Sequence, residues 1–465
     1  MDRLSSLDSA FLHLEAHDAS LHIASLAIFA GPVPPQERVR AAIEAKLPQV
    51  PRYRQRLRPV PLDIGRPVWV DDPAFDLDAH LHRAALPAPG GTAELQDLME
   101  RVMSDPMDRH IPLWEDWVVE GLARRRWALI TKVHHSMVDG IAGTDLLTTV
   151  LDDSPDPVRP VREEWVPAPA PGPVRLVGGA LRDNVVDRAR WAGSVGGAWQ
   201  VVRHAPSAAA RLYGTGRGLL GFSTDLRPTA GSSLVGPIGR ARRYRWTSVP
   251  LEDVLAVRDR YGTTLNDVVL AAVTAAFRGL LLERAETPRK DAVRTLVPVS
   301  VRHADERGHL DNRVSTLLAE LPVEVVDPVD QLTEVALRLR ALKASHEASA
   351  GEVITEVADT LPPPAVAAFL HLAFRTPHRH LTTVTTNVPG PPYRLWLCGR
   401  RMLEHYPYVP IADRLRTGIA ITSYDGRLFL GITADRETVP DVDTLVGGID
   451  TGFAALVESA RRRTS

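Results

Sequence analysis

Hydrophobic and polar positions along the chain switch repeatedly between a period near two and a period near 3.6. "LHIASLAIFAG" (21–31) alternates loosely and predicts a strand, while "QERVRAAIEAKL" (36–47) has helical spacing. "RWALITKVHHS" (126–136) predicts a second, buried strand, and "GIAGTDLLTTVLDD" (140–153) a helix stopped by Ser154 and Pro155. A proline-rich stretch to Pro173 predicts a stiff, partly extended linker. Helical spacing then runs through Leu181, Val185, Ala189, Ala192, Gly196 and Trp199. The pattern starts afresh near Gly236. "TTLNDVVLAAVTAAFRGLL" (263–281) predicts a helix with Leu265, Val269, Ala272, Ala276 and Leu280 on one stripe. "VRTLVPVSVR" (293–302) and "HLTTVTTNVPGPP" (380–392) predict strands, the second ending in a Gly/Pro turn. "RTGIAITSYDGRLFLGITAD" (416–435) predicts a hairpin turning at Asp425-Gly426, and residues 442–463 a closing helix.

This order predicts an α/β (α+β) protein of two mixed halves, since 465 residues exceed what one core usually holds. The expected boundaries are 1–152 for the first domain, 153–235 for a linker and helical crossover, and 236–465 for the second domain. No repeat of solenoid period interrupts this organisation.

Composition narrows the function classes. A net charge of −2 gives no overall basic field for nucleic acid. Only four of the 55 basic residues are Lys, an Arg bias that reflects genome composition more than phosphate recognition. One cysteine, Cys398, leaves no internal disulfide framework and no multi-cysteine zinc site, which fits a reducing compartment. The first twenty residues carry acids throughout and lack the apolar core of a signal peptide. No uninterrupted apolar run approaches the roughly 18 residues of a membrane span, and the most apolar helix is interrupted by Arg278. The expectation is a cytoplasmic protein, soluble or peripherally bound. Residues 175–217 hold seven Arg and two Asp. Such a basic helical stretch either packs with a solvated basic face or lies on an anionic lipid surface.

Three motif-like stretches lack the context their chemistry needs. Gly216–Gly221 fits G-x-G-x-x-G but follows a helical stretch instead of a strand. Ser194 in "AGSVG" lies within a helical pattern, whereas a nucleophile elbow needs a strand before the serine. His378 and His380 have no cysteine or carboxylate cluster beside them.

"KVHHSMVDGIAG" (132–143) is richer. On a strand, His134 and His135 point to opposite faces, so they cannot share one metal without a bulge. Asp139 either caps a helix starting at Gly140 or supports a catalytic imidazole. An imidazole titrates near 6.5 in model peptides, which suits a general base for an acceptor hydroxyl attacking an activated acyl group. Such chemistry needs no covalent nucleophile, and the chain offers no convincing nucleophilic Ser or Cys.

"HHSMVDG" matches HHxxxDG, the signature of CoA-dependent acyltransferases, whose relatives include chloramphenicol acetyltransferase and peptide-synthetase condensation domains. "RLSSLDSAFLHLE", "PLWEDWVVEGL", "LNDVVLAAV", "VPVSVR", "NRVS", "TNVPGP" and "SYDGRLFLGITAD" occur with it. In that order and spacing the chain resembles, over nearly its whole length, the bacterial wax ester synthase/acyl-CoA:diacylglycerol acyltransferases.

The resemblance implies two chloramphenicol-acetyltransferase-like domains, each a mixed sheet flanked by helices, with the active site in a tunnel between them. It makes His135 the base, with His134 pointing away to hold the loop. Asp139 becomes chiefly structural, and Gly140 lets acceptor and thioester approach. Asn266 is a candidate oxyanion donor, while Asp267 has capping-box spacing from Thr264. Pro112, Leu113 and Trp114 either shape the pocket wall or belong to the core. Asn387, Pro389 and Gly390 form a turn near the tunnel, and Arg302 and Arg313 are candidate partners for CoA phosphates. One departure is Asp311, where the family commonly has glycine before Asn-Arg-Val-Ser.

The implied reaction moves a long-chain acyl group from acyl-CoA, a substrate and not a cofactor, to diacylglycerol or a fatty alcohol, with no metal and no nucleic acid involved. The alternatives are a carrier-bound donor or polyketide alcohol acceptor, or a non-catalytic paralogue that binds lipid-droplet or membrane surfaces through 175–217.

Overall fold

The computed structural model describes residues 2–5, 8–9, 12, 15, 20–140, 149–157, 165–183, 232–300, 314–344, 381–412 and 414–462. Residues 141–148 of the expected helix at 140–153 and most of the crossover lie outside these residues, as do the stretches around Ser194, Gly216–Gly221, His378 and His380. The described end of that helix, 149–153, is turn and bend instead, because the Asp152 amide and carbonyl both pair with Trp396, each at 2.8 Å.

A small antiparallel sheet of order β1-β4-β3 joins β1 (Asp2–Arg3), β3 (Gln55–Arg58) and β4 (Val68–Asp71). The first large sheet has the order β12-β13-β2-β7-β6-β5. It is built from β2 (His22–Ala30), β5 (Leu81–Ala85), β6 (Trp114–Leu122), β7 (Arg126–His134), β12 (Trp396–Leu397) and β13 (Arg400–Tyr408). The second has the order β10-β9-β11-β14-β15-β8. Its strands are β8 (Arg242–Pro250), β9 (Arg294–Ser300), β10 (Val314–Glu320), β11 (Thr383–Val388), β14 (Thr417–Tyr424) and β15 (Arg427–Asp435). Among the described residues the α-helices are α1 (Gln36–Glu44), α2 (Thr92–Ser104), α3 (173–183), α4 (Leu251–Tyr261), α5 (Leu265–Glu283), α6 (Pro328–Ala344) and α7 (Val442–Arg462).

The loose alternation of β2 and the apolar run of β7 have one cause. Both strands are interior to the sheet, and eight of the nine β7 residues are buried, so neither face needs a polar period. The β14–β15 hairpin turns at Asp425 (φ 40°) and Gly426 (φ 80°), the pair of positive φ values that a two-residue turn requires. The Val269, Ala272, Ala276 and Leu280 stripe of α5 is buried. α7 crosses it so closely that a Cβ on Gly448 or Gly452 would meet the Ala276 or Ala272 Cα at 2.6 or 3.0 Å. α5 is long and apolar enough to cross a membrane by composition, but 67% of its apolar window is buried within the protein. Arg278, which interrupts that run, donates to the Val323 carbonyl at 2.7 Å.

The division at 236 is not a clean division of sheets. β12 and β13 leave the second half and complete the first sheet, with Tyr406 opposite Leu26 and Tyr408 opposite Ala24. A strand's pattern reports that it pairs, not with which sheet, so this exchange is invisible to periodicity. Glu100 of α2, 2% exposed, fastens the halves from the other side. It accepts from the Tyr244 amide (3.2 Å), Arg245 (2.6 Å) and Arg436 (3.0 Å).

Candidate active site

β7 ends at His134, and the chain turns into a short 3-10 segment, His135–Gly140. The two histidines therefore diverge as expected, though by the turn of the chain and not by the pleat of one continuous strand. His134 is 1% exposed, while 40% of the His135 side chain is open. The strand end is fixed on both sides. The His134 amide donates to the Leu113 carbonyl and the His135 amide to the Leu21 carbonyl, each at 3.0 Å. Two residues before His134, the buried Lys132 ammonium donates to the Val102 and Asp105 carbonyls at 2.8 and 2.7 Å, closing the C-terminal end of α2 against β7. Burial pushes that ammonium's pKa down.

The His134 ring is held at Nδ1 and faces a carboxylate with Nε2. Its Nδ1 accepts from the Ser136 amide at 3.1 Å and lies 2.7 Å from the Ser136 hydroxyl. A neutral ring accepting at Nδ1 carries its proton on Nε2, and that atom faces Glu15 Oε2 at 3.4 Å. Glu15 also stands 3.3 Å from His22 Nε2, accepts from the Leu21 amide at 3.1 Å, and pairs with Arg109. Burial opposes ionisation of Glu15, but the His134 and His22 imidazoles outweigh it and hold its carboxyl well below the usual carboxylate range. Burial pushes His22 down to about 4, which keeps it neutral. His22 pairs with His134 across β2 and β7, their rings 5.7 Å apart and edge-on.

His135 stands in different surroundings. Its Nδ1 lies 4.0 Å from Oδ1 of Asp8, a buried carboxylate whose Oδ2 accepts from the Ser5 hydroxyl at 2.7 Å. Among the described residues no group of three or more His, Cys, Asp or Glu has a geometry that could hold a metal ion.

Asp8, Glu15 and His22 were absent from the candidates drawn from the sequence. The signal for Asp8 and Glu15 lies in the opening "RLSSLDSAFLHLE", and His22 stands in the strand "LHIASLAIFAG". They lie more than a hundred residues from the histidine motif, so no local spacing connects them.

The remaining candidates divide clearly. Trp114 is core: its ring lies between Tyr53 (4.4 Å) and His80 (4.5 Å), and its indole N–H donates to the Tyr53 carbonyl at 2.8 Å. Leu113 and Pro112 are buried beside it, and Leu113 serves the site through the carbonyl that receives the His134 amide. Asp267 is a capping-box residue, receiving the Thr264 amide at 2.7 Å while its own amide donates to the Thr264 hydroxyl at 3.2 Å. Asn266 stands half-buried at the second position of α5, in the half built on the second sheet. Asn387 is the last residue but one of β11, paired with Ile421, and Pro389 is exposed just after the strand. Gly390 follows because a Cβ there would meet the Ser423 carbonyl oxygen at 1.9 Å. Gly140 and Asp139 close the 3-10 turn. The Asp139 side chain, Arg302, Asp311 and Arg313 lie outside the described residues.

Comparison with known proteins bears on the whole chain. The family model of the wax ester synthase/diacylglycerol acyltransferase catalytic domain matches residues 4–269, and that of the WS/DGAT C-terminal domain matches 310–457. A probable diacylglycerol O-acyltransferase, tgs1, of Mycobacterium tuberculosis is 41% identical over 465 residues, covering 100% of this chain and 97% of that protein. The solved wax ester synthase/diacylglycerol acyltransferase of Marinobacter aquaeolei VT8 superposes with a TM-score of 0.67 at 26% identity, covering 98% of this chain and 99% of that one. The first condensation domain of the calcium-dependent antibiotic synthetase shares the fold alone, with a TM-score of 0.57 at 17% identity and coverage of 99% and 96%. Together with the half-open histidine at the end of β7, these matches show that the chain belongs to the wax ester synthase/diacylglycerol acyltransferase family of O-acyltransferases.

Proposed function

We propose that this chain transfers a long-chain acyl group from acyl-CoA to the hydroxyl of diacylglycerol or a fatty alcohol, giving triacylglycerol or wax ester. The observation that carries the reading is the unequal pair: His134 is buried, bonded at Nδ1 and with Nε2 facing Glu15 at 3.4 Å, while 40% of the adjacent His135 side chain is open to an incoming hydroxyl.

In the proposed step His135 Nε2 removes the proton from the acceptor hydroxyl as its oxygen bonds to the thioester carbonyl carbon. The tetrahedral oxyanion collapses, the C–S bond breaks, and the leaving thiolate takes the proton back from the imidazolium. Ester and free CoA are the products, and the balance needs no cofactor or metal. His134, Ser136 and Glu15 hold the turn from which His135 projects, and Asp8 faces its Nδ1. Asp139 supports the turn and Gly140 leaves room for the reactants. Asn266 is proposed as an oxyanion donor, and Arg302 and Arg313 as partners of the CoA phosphates. The work is placed in the cytoplasm, at a lipid surface that holds the acceptor.

The test is to incubate purified protein with palmitoyl-CoA and either hexadecanol or dioleoylglycerol, measuring free CoA and the ester. Stoichiometric ester with either acceptor supports the reading. Absence of product with every long-chain hydroxyl acceptor overturns it, and transfer only from acyl carrier protein would reassign the donor.

A further inference from the structure

The loop 59–66, between β3 and β4, and helix α3 form one rim on the small sheet. Val60, Leu176 and Ala180 are buried beneath it as a satellite core. Gly65 fixes the spacing, because a Cβ there would lie 2.6 Å from the Ala180 Cβ. Arg3 ties the rim further, donating to the Arg66 carbonyl at 3.1 Å and pairing with Asp183. Above this base the apolar side chains point outward. Leu62 is 91% exposed, Val174 87% and Leu181 53%. Leu62 sits at φ 61°, a left-handed conformation that disfavours a side chain, at the tip of the loop. Val174 and Leu181 are seven residues apart and share one helix stripe, and Arg175 and Arg182 form the neighbouring stripe. A shallow cleft of about 460 Å³, bounded by Arg58, Val60, Leu62, Pro173 and Leu176, runs between loop and helix. Across 58–66 and 173–183 there are four Arg and two Asp, and Arg3 already pairs Asp183. No described ion pair engages Arg58, Arg175 or Arg182.

We propose that this rim is the docking surface through which the protein sits on an anionic lipid surface, with Leu62, Val174 and Leu181 inserted among acyl chains and Arg58, Arg175 and Arg182 against phosphate headgroups. Exposed apolar side chains on a rigid base, bordered by cations without an ion pair among the described residues, match an interface that is apolar below and anionic above. A protein partner of matching shape would be expected to meet polar backbone or acidic side chains with the arginines, and nothing else on this rim selects for that. The proposal deepens the acyltransferase reading, whose acceptor resides in a lipid phase, and rests on it only for its purpose. Binding is read here without turnover.

The experiment floats the full-length chain with vesicles of phosphatidylcholine alone and of phosphatidylcholine mixed with phosphatidylglycerol. Wild type is expected to bind the anionic vesicles preferentially. Leu62→Asp/Val174→Asp lowers that partition at least about tenfold. Arg175→Gln/Arg182→Gln removes the preference for phosphatidylglycerol while leaving residual binding to neutral vesicles. Both variants keep the wild-type melting temperature and wild-type turnover of a water-soluble short-chain acyl-CoA and alcohol. Flotation of the Leu62→Asp/Val174→Asp protein equal to wild type overturns the proposal, as does a wild type that fails to float. A wild-type dimer that this variant dissolves, with vesicle binding unchanged, reassigns the rim to self-association. Vesicle binding that depends on the rim, in a protein without acyl transfer, upholds the surface and removes the reaction.

Discussion

His134 and His135 are chemically identical neighbours, and their surroundings divide the work between them. His134 spends Nδ1 on Ser136 and turns Nε2 to a carboxylate, so its ring cannot receive a substrate proton without breaking the turn that holds the motif. His135 keeps 40% of its side chain open, and Asp8 stands 4.0 Å from its Nδ1. With His135 proposed as the base, Asp8 is proposed as a positioning residue. Asp8→Asn is expected to lower kcat about tenfold with little change in KM, because orientation of a base is felt in the transition state more than in binding. Asp8→Glu should recover part of the loss. A change confined to KM, measured in steady-state kinetics, would contradict this role. A second residue, Asp116, is fully buried and accepts from the Thr131 hydroxyl at 2.7 Å, and burial pushes its carboxyl up to about 7. Asp116→Asn keeps an acceptor for Thr131 without a buried charge, so it should stabilise the protein at pH 8 more than at pH 5. Equal effects at the two pH values in denaturant titrations would show that Asp116 is already ionised at pH 5 in the folded protein.

At the scale of elements, the sharpest constraint is the crossing of α5 and α7. Ala272 and Ala276 were legible in the sequence as part of the α5 stripe, but the glycines that receive them, Gly448 and Gly452, are not marked by any period. Gly448→Val forces a side chain against the Ala276 backbone and should destabilise by about 2–3 kcal/mol, read as a lowered urea midpoint with an unchanged m value. An unchanged midpoint would mean that the helices separate at no cost. α5 and the Asp425-Gly426 hairpin were legible because a single face or a single turn determines them, and β2 and β7 because a short apolar run marks a strand buried on both faces. The pairing of β13 with β2 was not, since partner choice depends on residues some 380 positions apart. The same separation hid Glu15 and His22 from a reading of the histidine motif, whereas the capping box of Thr264 and Asp267 was legible because it is local.

For the molecule as a whole, two features set stability. The first is the join between halves, where Glu100 is buried among Tyr244, Arg245 and Arg436. Glu100→Ala leaves Arg245 without one of its two carboxylate partners and should cost about 3 kcal/mol, lowering the melting temperature and loosening the β13 exchange to hydrogen exchange. A variant that melts like wild type would place the join elsewhere. The second is pH. Burial pushes His22 and His405 down to about 4 from an ordinary 6.5, so between those values the unfolded chain binds protons that the folded chain refuses. Stability from these two groups is complete above about 6.5 and falls as the pH drops toward 4. Glu15, held below its ordinary value, adds a loss that begins as the pH falls through the usual carboxylate range. Asp116 acts in the opposite sense between about 7 and 3.8. Net stability should therefore fall on acidification from pH 6.5 to 5, and Asp116→Asn should steepen that fall by about 1 kcal/mol per pH unit.

The central claim concerns one imidazole and is tested most directly by the initial rate of CoA release from palmitoyl-CoA with a long-chain alcohol or diacylglycerol. In this assay His135→Ala is compared with wild type at matched fold and lipid binding. The account predicts that His135→Ala loses a factor of at least about 100 in kcat while melting as wild type does. Wild-type turnover by His135→Ala would contradict it.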